Sequence, residues 1–257
     1  MVSNRELRDP ESTGLAISIE EAVDSFVIED VSDDAARLSW AFDLIVQGYL
    51  PLSSQTLDPW QVREDVCDDA YHRHGLARTL VLTGRHPETG EPEPLGTVRV
   101  TMGSAATKAL GVPPLEAMGL MAPAGGWENF HFEGFEIDQI AEGGRVAVSP
   151  TCRIGPSRAL GLPAIVLRTL FERGFRFAVE RYGKTQYWGI LPSYIIKRVE
   201  ALVIRVIPAP AMEYRSEENG HILSKYDRYW LHSNPTFCRV IVPGRRRDST
   251  KFTAWGD

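Results

Sequence analysis

The sequence predicts a mixed α/β fold, in which one sheet carries helices on its faces. Two strand-like segments at 78–83 and 95–101 are close enough to form a hairpin. Farther on, a strand pattern at 140–148 leads through a long helical pattern to a second strand at 186–190. Early hairpins together with a later strand–helix–strand unit are typical of mixed sheets. The composition, 43% hydrophobic and 24% charged, is that of an ordinary globular chain.

The first half of the chain gives five elements in order. Phe26–Ile28 is a short strand, and Ser32–Asp34 supplies N-cap residues for a helix over 35–47. Val62–Ala70 is either a short helix or an acidic loop. The hairpin strands follow, joined by a Gly-, Pro- and Glu-rich turn at 84–94.

The second half begins with a long excursion at 103–135, a type of segment that often forms a pocket or lid. The 140–148 strand comes next. A long helix then begins at Leu162-Pro163 and ends at Gly183, since proline suits a first turn and glycine a C-terminus. The remaining predicted elements are a strand at 186–190, a helix at 192–201, a strand at 203–207, and final strands at 222–223 and 237–242.

Charge and cysteine content exclude several classes of protein. Lys and Arg number 28 against 34 Asp and Glu, a net charge of -6, which argues against a nucleic-acid binder. Three separated cysteines predict neither a disulfide framework nor a zinc site, and favour a reducing compartment. We expect no signal peptide, no membrane span and no metal, and a cytoplasmic location.

We expect a flexible arm at 1–20, a single domain at 21–243 and a tail at 244–257.

The segment between the 140–148 strand and the long helix is a candidate anion site. Arg153, Gly155 and Arg158 lie in a glycine-containing turn before a helix. Backbone N–H groups and arginines in such a turn favour phosphate, so these three residues are candidates for binding the phosphate of an acyl donor. Surface charges with no ligand explain the same residues about as well.

Three motifs in this order resemble the GNAT acyltransferases. They are Leu95-Gly-Thr-Val-Arg99, Glu142-x-x-Arg145-Val-Ala-Val148, and Arg153 before a helix. The acidic group Glu64-Asp65-x-x-Asp68 narrows the resemblance to acyl-homoserine-lactone synthases and long-chain N-acyl amino acid synthases. The resemblance implies a mostly antiparallel, twisted GNAT-like sheet with helices on both faces. It also implies transfer of a fatty acyl group from acyl carrier protein or CoA to a small-molecule amine, with no bound cofactor.

The resemblance assigns the catalytic residues to the 140–148 strand. Glu142 is the candidate base, acting through water, and Arg145 would keep its carboxylate ionised. Backbone N–H groups from Val146 to Val148 would bind the thioester carbonyl as negative charge develops. A purely structural Glu142–Arg145 pair is the alternative.

Candidate substrate-binding residues lie elsewhere in the chain. Arg99 would bind an acceptor carboxylate or order the acidic group, and Glu64, Asp65 and Asp68 would bind an amino group or Arg99. Solvated charges are the alternative for all four. The aromatic residues would line an acyl pocket or simply form core; they are Trp127, Phe130 and Phe132.

Three functions remain open from the sequence. The first is an N-acyltransferase making an N-acyl amino acid, amine or homoserine lactone. The second is a non-catalytic GNAT-like protein that binds a carrier protein or lipid-like ligand. The third is a hydrolase with Cys152 as an acylated nucleophile. Pro156 removes one N–H from the anion turn, which favours acyl carrier protein over CoA as donor and partner.

Overall fold

The computed structural model describes residues 15–49, 58–67, 69–123, 125–132, 134–159, 161–202, 204–209, 212–214 and 235–242. These residues fall into two compact units. The first unit comprises the described residues up to Thr101 and those of Gly143–Arg176. The second comprises Met102–Glu142 and the described residues from Phe177 onward.

The described chain contains both helices and strands. The helices are α1 (Ile19–Asp24), α2 (Ala35–Tyr49), α3 (Pro59–Val66), α4 (Ala70–Arg73), α5 (Glu116–Leu120), α6 (Gly155–Ala159), α7 (Leu162–Tyr182) and α8 (Ser193–Ala201). The strands are β1 (Val27–Asp30), β2 (Ala77–Arg85), β3 (Pro92–Met102), β4 (Met121–Pro123), β5 (Ile140–Val148), β6 (Gln186–Pro192), β7 (Arg205–Pro208), β8 (Met212–Tyr214) and β9 (Pro235–Ile241). Short 3₁₀ turns lie within the predicted 103–135 excursion, at Ala105–Leu110 and Trp127–Asn129, and just after it, at Ile137–Gln139.

The main sheet is mixed and mostly antiparallel. In the first unit the strand order is β1-β2-β3-β5, and in the second it is β5-β6-β9-β7, so that β5 contributes residues to both. The β1–β2, β2–β3, β6–β9 and β7–β9 pairs are antiparallel, whereas β5 and β6 are parallel. The predicted fold class is therefore confirmed. The short β4–β8 pair forms a separate two-stranded sheet that the sequence did not predict.

A close approach at Gly96 fixes how β3, β5 and α7 pack in the first unit. A Cβ at Gly96 would lie 2.8 Å from the Ala147 carbonyl oxygen and 2.9 Å from Leu170. Only glycine lets the backbone and the helix come so near. Leu95, Val98 and Val100 on β3 are fully buried, as are Val166 and Leu170 on α7. Val166 and Leu170 of α7 are thus part of the core of this unit.

Most predicted elements agree with the structure to within a few residues, and β5 and α7 are confirmed. Val62–Ala70 proves to be two short helices with a break between them. The predicted arm at 1–20 includes Ser18, whose side chain caps α1. The predicted strand at 222–223 lies outside the described residues. In the described part of the chain, no helix is both long and apolar enough to span a membrane.

Candidate active site

Two buried arginines of the first unit converge on the segment that follows α3. Arg99 donates to the carbonyl oxygens of Val66 and Cys67, both at 3.3 Å, and to the Asp69 carboxylate at 2.6 Å. Arg145 donates through Nε to the same Val66 oxygen at 3.0 Å, and its guanidinium lies 3.8 Å from Asp69. Arg99 is 1% exposed. Charged hydrogen bonds to both backbone and carboxylate therefore hold Val66, Cys67 and Asp69 against the strands.

Arg145 also has an unusual backbone conformation. Its φ is 51°, and no other non-glycine residue in the described ranges has a positive φ. An L-residue in the left-handed region costs about 1–2 kcal/mol. A strained residue within a central strand persists only where its surroundings hold it, and such residues often mark functional sites. Here the hydrogen bond to Val66 and the ion pair with Asp69 hold Arg145 in place.

The acidic partner of Arg99 is Asp69, which the sequence reasoning did not select. Among the predicted acids, Glu64 is exposed on α3. The side chain of Asp65 and the whole of Asp68 lie outside the described residues. Asp69 also accepts from the His72 backbone N–H, as the N-cap of α4. An aspartate just before a short helical pattern was the available signal, since aspartate is a preferred N-cap.

The predicted anion turn already holds a carboxylate. Arg153, Gly155 and Arg158 are exposed, and Arg153 donates to the Val148 carbonyl oxygen. The Ser157 N–H donates to the Glu88 carboxylate at 3.0 Å, and this bond lowers the pKa of Glu88. In this structure the turn thus binds an anionic oxygen of the protein itself, that of Glu88.

Glu142 lies in the second unit and is 5% exposed. Its Oε2 accepts from the Ala117 N–H at 3.3 Å, in the first turn of α5. Glu116, the neighbouring residue on α5, is 7% exposed and was not selected from the sequence. Glu116 lies in the glycine- and proline-rich excursion, where the hydrophobic residues show no helical or strand periodicity that would have indicated its position. The described contacts thus bring a second buried acid to the turn that binds Glu142.

The predicted aromatic residues form one cluster in the second unit. Phe132 is buried, whereas Trp127 and Phe130 are half-buried. The ring of Phe130 lies 4.8 Å from that of Phe132 and 5.2 Å from that of Trp127. Trp188 and Phe237 join the cluster with their rings stacked at 4.9 Å. These two buried rings were not selected as site residues, although Trp188 lies in a predicted strand.

Val146 and Val148 occupy the end of β5. Val146 is half-buried, and Val148 is 8% exposed. The next residue, Ser149, donates its N–H to the Leu95 carbonyl at 2.8 Å. The strand is therefore held to β3 immediately beyond the backbone groups that were predicted to bind the thioester carbonyl.

The three cysteines are buried thiols. Burial raises the pKa of Cys67 and of Cys238 to about 12, and that of Cys152 to about 11. Cys152 donates weakly to the Leu95 carbonyl oxygen at 3.8 Å. Because the thiolate is the nucleophile, such a thiol is poorly suited to form an acyl-enzyme. The described residues contain no group of three or more His, Cys, Asp and Glu that could hold a metal ion.

Comparison with known proteins gives matches only among solved structures. No family model matches the chain, and no curated protein matches it. An N-acyl amino acid synthase from uncultured soil microbes is 15% identical, with 90% of this chain and 98% of that one covered and a TM-score of 0.43. A CoA-dependent acyl-homoserine lactone synthase is 15% identical, with 87% and 84% covered and a TM-score of 0.42. An acetyltransferase from Streptococcus agalactiae is 12% identical, with 85% and 99% covered and a TM-score of 0.43. These include the groups that the motifs in the sequence resemble.

Proposed function

We propose that this protein is an N-acyltransferase that moves a fatty acyl group from a thioester donor to the amine of a small molecule. The observation that carries the proposal is the make-up of β5. This one strand holds a buried carboxylate at Glu142 and a buried, left-handed arginine at Arg145. Charged side chains are rarely buried without a use, and backbone strain adds a further cost.

Amide formation from a thioester needs a neutral amine and a stabilised oxyanion. In the proposed reaction the amine nitrogen attacks the carbonyl carbon, and the carbon–sulfur bond then breaks to release a thiolate. Glu142 takes the excess proton of the amine, directly or through one water, and solvent protonates the thiolate. Backbone N–H groups of Val146–Val148 donate to the carbonyl oxygen as it becomes negative. Arg145 acts as a positioning residue, because its described contacts are with Val66 and Asp69.

The proposed donor is an acyl thioester of acyl carrier protein, with CoA as the alternative carrier. The exposed Arg153 and Arg158 suit the single phosphodiester of a pantetheine arm. Ile154 between them is 64% exposed, which offers an apolar contact to a carrier protein. The pyrophosphate of CoA needs several adjacent N–H donors, and Pro156 supplies none. The aromatic cluster of Trp127, Phe130 and Phe132 is the proposed wall of the acyl site.

The deciding experiment measures thiol release from decanoyl-acyl carrier protein and decanoyl-CoA, each with pooled amines. We expect turnover with both carriers and a higher kcat/KM for the carrier protein. Glu142→Gln should lower kcat by about 10²- to 10⁴-fold and leave the donor KM unchanged. Glu200→Gln, at an exposed glutamate on α8, is the matched control and should behave as the native protein.

Three results would contradict the proposal at different points. If neither thioester releases thiol while both bind, the protein is a non-catalytic binder, the second function that the sequence left open. If thiol is released at the native rate by folded Glu142→Gln, Glu142 has no part in the reaction. A clear preference for decanoyl-CoA would overturn only the choice of carrier.

A further inference from the structure

A buried histidine lies in the hairpin loop that joins β2 to β3. His86 is 4% exposed, and its Nδ1 accepts from the Glu88 backbone N–H at 3.3 Å. A ring nitrogen that accepts a hydrogen bond carries no proton, so the proton of the neutral ring is on Nε2. That Nε2 is buried without a hydrogen-bond partner among the described residues, and it lies 3.8 Å from the Glu93 carboxylate. A buried donor that stays unpaired needs a physical explanation.

Two glutamates beside His86 hold the hairpin loop to the segment that follows β5. Glu88 accepts from the Ser157 N–H at 3.0 Å, and Glu93 accepts from the Thr151 hydroxyl at 2.9 Å. All of these residues belong to the first unit. The histidine therefore lies next to two carboxylates whose present hydrogen-bond donors are uncharged.

Protonation of the ring changes both of its contacts. A proton from solvent on Nδ1 sets the ring N–H against the Glu88 N–H, and two donors cannot form a hydrogen bond. The Nε2–H of the charged ring gains an acceptor in the Glu93 carboxylate, 3.8 Å away. A carboxylate binds a cation more strongly than an uncharged donor, so the charged ring competes with Ser157 for Glu88. Histidine is the side chain that changes charge between about pH 5 and 8.

The titratable groups around the ring keep their charge in this pH range. The Ser157 N–H lowers the pKa of Glu88 from its ordinary value of 4.5, and burial raises the pKa of Cys152 to about 11. Carboxylates and guanidinium groups ordinarily stay charged between about pH 5.5 and 8. The other charged side chains of the hairpin loop, of the segment after β5 and of α1 are exposed; they are Arg85, Glu91, Arg153, Arg158, Glu20 and Glu21.

We propose that His86 is a pH-sensitive switch on the anion turn of residues 153–158. The neutral ring holds the Glu88 backbone, and the Glu88 carboxylate then blocks the Ser157 N–H. The protonated ring draws that carboxylate to itself and leaves the Ser157 N–H open to an anionic group of the acyl donor. The unpaired Nε2–H is the donor that the charged form uses for Glu93. The inference rests on the proposed acyl transfer only for the role of the turn as the donor site.

The first measurement follows the switch by NMR in the full chain, without any acyl donor, between about pH 5.5 and 8. We expect the amide signals of Glu88 and Ser157 to move with one midpoint. His86→Asn should abolish this movement, because the asparagine oxygen still accepts from the Glu88 N–H and gains no proton. His74→Asn, at an exposed histidine of the same unit, is the matched control and should leave the movement as it is in the native protein.

The second measurement is the KM for decanoyl-acyl carrier protein in the thiol-release assay at about pH 6 and pH 8. The ratio of the KM at pH 8 to that at pH 6 should be about fivefold larger in the native protein than in His86→Asn, the factor that corresponds to one net hydrogen bond. The comparison of the two proteins removes the pH dependence of the carrier protein and of the amine, which both share. His74→Asn should give the native ratio.

Constant amide signals of Glu88 and Ser157 in the native protein would overturn the inference, as would an unchanged movement in His86→Asn. Equal KM ratios in the two proteins would overturn the link to the donor. If His86→Asn does not fold, the ¹⁵N signals of the native His86 ring give the answer. They should change at the midpoint of the Ser157 amide, and a different midpoint contradicts the switch. Because the NMR measurement uses no thioester, the switch and the proposed acyl transfer can each fail while the other holds.

Discussion

Removal of the Glu88 charge should tighten binding of the acyl donor. Oε1 of Glu88 accepts from the Ser157 N–H at 3.0 Å, and it would lie 2.7 Å from a Cβ at Gly155. The carboxylate therefore occupies the turn that we propose for the donor phosphate. A phosphate oxygen has to compete for the same N–H and is repelled by the carboxylate charge. Glu88→Gln keeps an oxygen of similar shape and removes the charge.

The size of the effect follows from the distance and the exposure of the pair. Like charges about 5 Å apart repel by roughly 1–2 kcal/mol at effective dielectric constants between 40 and 80. Glu88 is half-buried, so water screens it and the lower value applies. About 1 kcal/mol corresponds to a roughly fivefold lower donor KM. The repulsion between exposed charges is screened by salt, so the gain should shrink at high ionic strength.

The assay is thiol release from decanoyl-acyl carrier protein at low and high salt, with Glu91→Gln as the control. Glu91 is exposed and lies in the same hairpin turn, so its substitution makes the same change in net charge. We expect a lower KM only in Glu88→Gln. An equal fall in both variants would show a general charge effect, and no change in either would refute a phosphate site at Gly155 and Ser157.

The pKa of Glu88 adds a check on the same contact. The Ser157 N–H lowers that pKa from the ordinary value of 4.5. A carboxyl with a lowered pKa stabilises the fold above its unfolded pKa and loses that effect as pH falls through the folded pKa. Native protein should therefore be more stable than Glu88→Gln above about pH 5, and the difference should shrink as the pH falls below 4.5 and through the lowered pKa of the folded state. A constant difference in urea midpoints across this range would contradict the contact.

Three further predictions concern stability, measured as the free energy of unfolding in urea. Gly161→Ala should cost about 1–2 kcal/mol, because φ is 81° with nothing within 4 Å, and Gly155→Ala should cost more because Glu88 must also move; equal costs would contradict the clash. Arg99→Lys should cost about 2 kcal/mol because two hydrogen bonds to backbone carbonyls are lost, and Arg145→Lys should cost about 1 kcal/mol because one is lost. A larger cost for Arg145→Lys than for Arg99→Lys would refute this reasoning. Lys184→Met should cost about 2 kcal/mol, since two backbone carbonyls lose the ammonium 2.8 and 2.7 Å away; a neutral result would show that water replaces it.

Long helices and strands could be predicted from the sequence because their hydrophobic periodicity and the residues at their ends indicate the same element. The β5 strand was placed at its observed bounds, and the helix from Leu162 to Tyr182 is framed by Pro163 and Gly183. Gly183 has a φ of 64°, the left-handed conformation that ends a helix. In the 103–135 excursion neither the helical nor the strand periodicity of hydrophobic residues is sustained. The short strand β4 and helix α5 there depend on partners far along the chain, such as β8 and Glu142.

The acidic partner of Arg99 could not be chosen from spacing alone. Glu64 and Asp69 lie five residues apart. On one continuous helix, the helical period would determine which face carries each of these side chains. The structure has α3 ending at Val66 and α4 beginning after Asp69. That break frees the Val66 and Cys67 carbonyls to accept from arginine and directs Asp69 to the same guanidinium. The partner is determined by where the helix stops, which depends on these tertiary bonds.

The Glu-x-x-Arg motif shows why a sequence motif leaves the geometry of its side chains open. Residues three apart on a regular strand point to opposite faces, so spacing alone predicts separate surroundings for Glu142 and Arg145. The left-handed φ of Arg145 breaks that regularity, and its direction cannot be derived from spacing. The described contacts give each charge its own neighbour, the Ala117 N–H for the carboxylate and the Val66 carbonyl for the guanidinium. One short motif thus contacts two segments that are far apart in sequence.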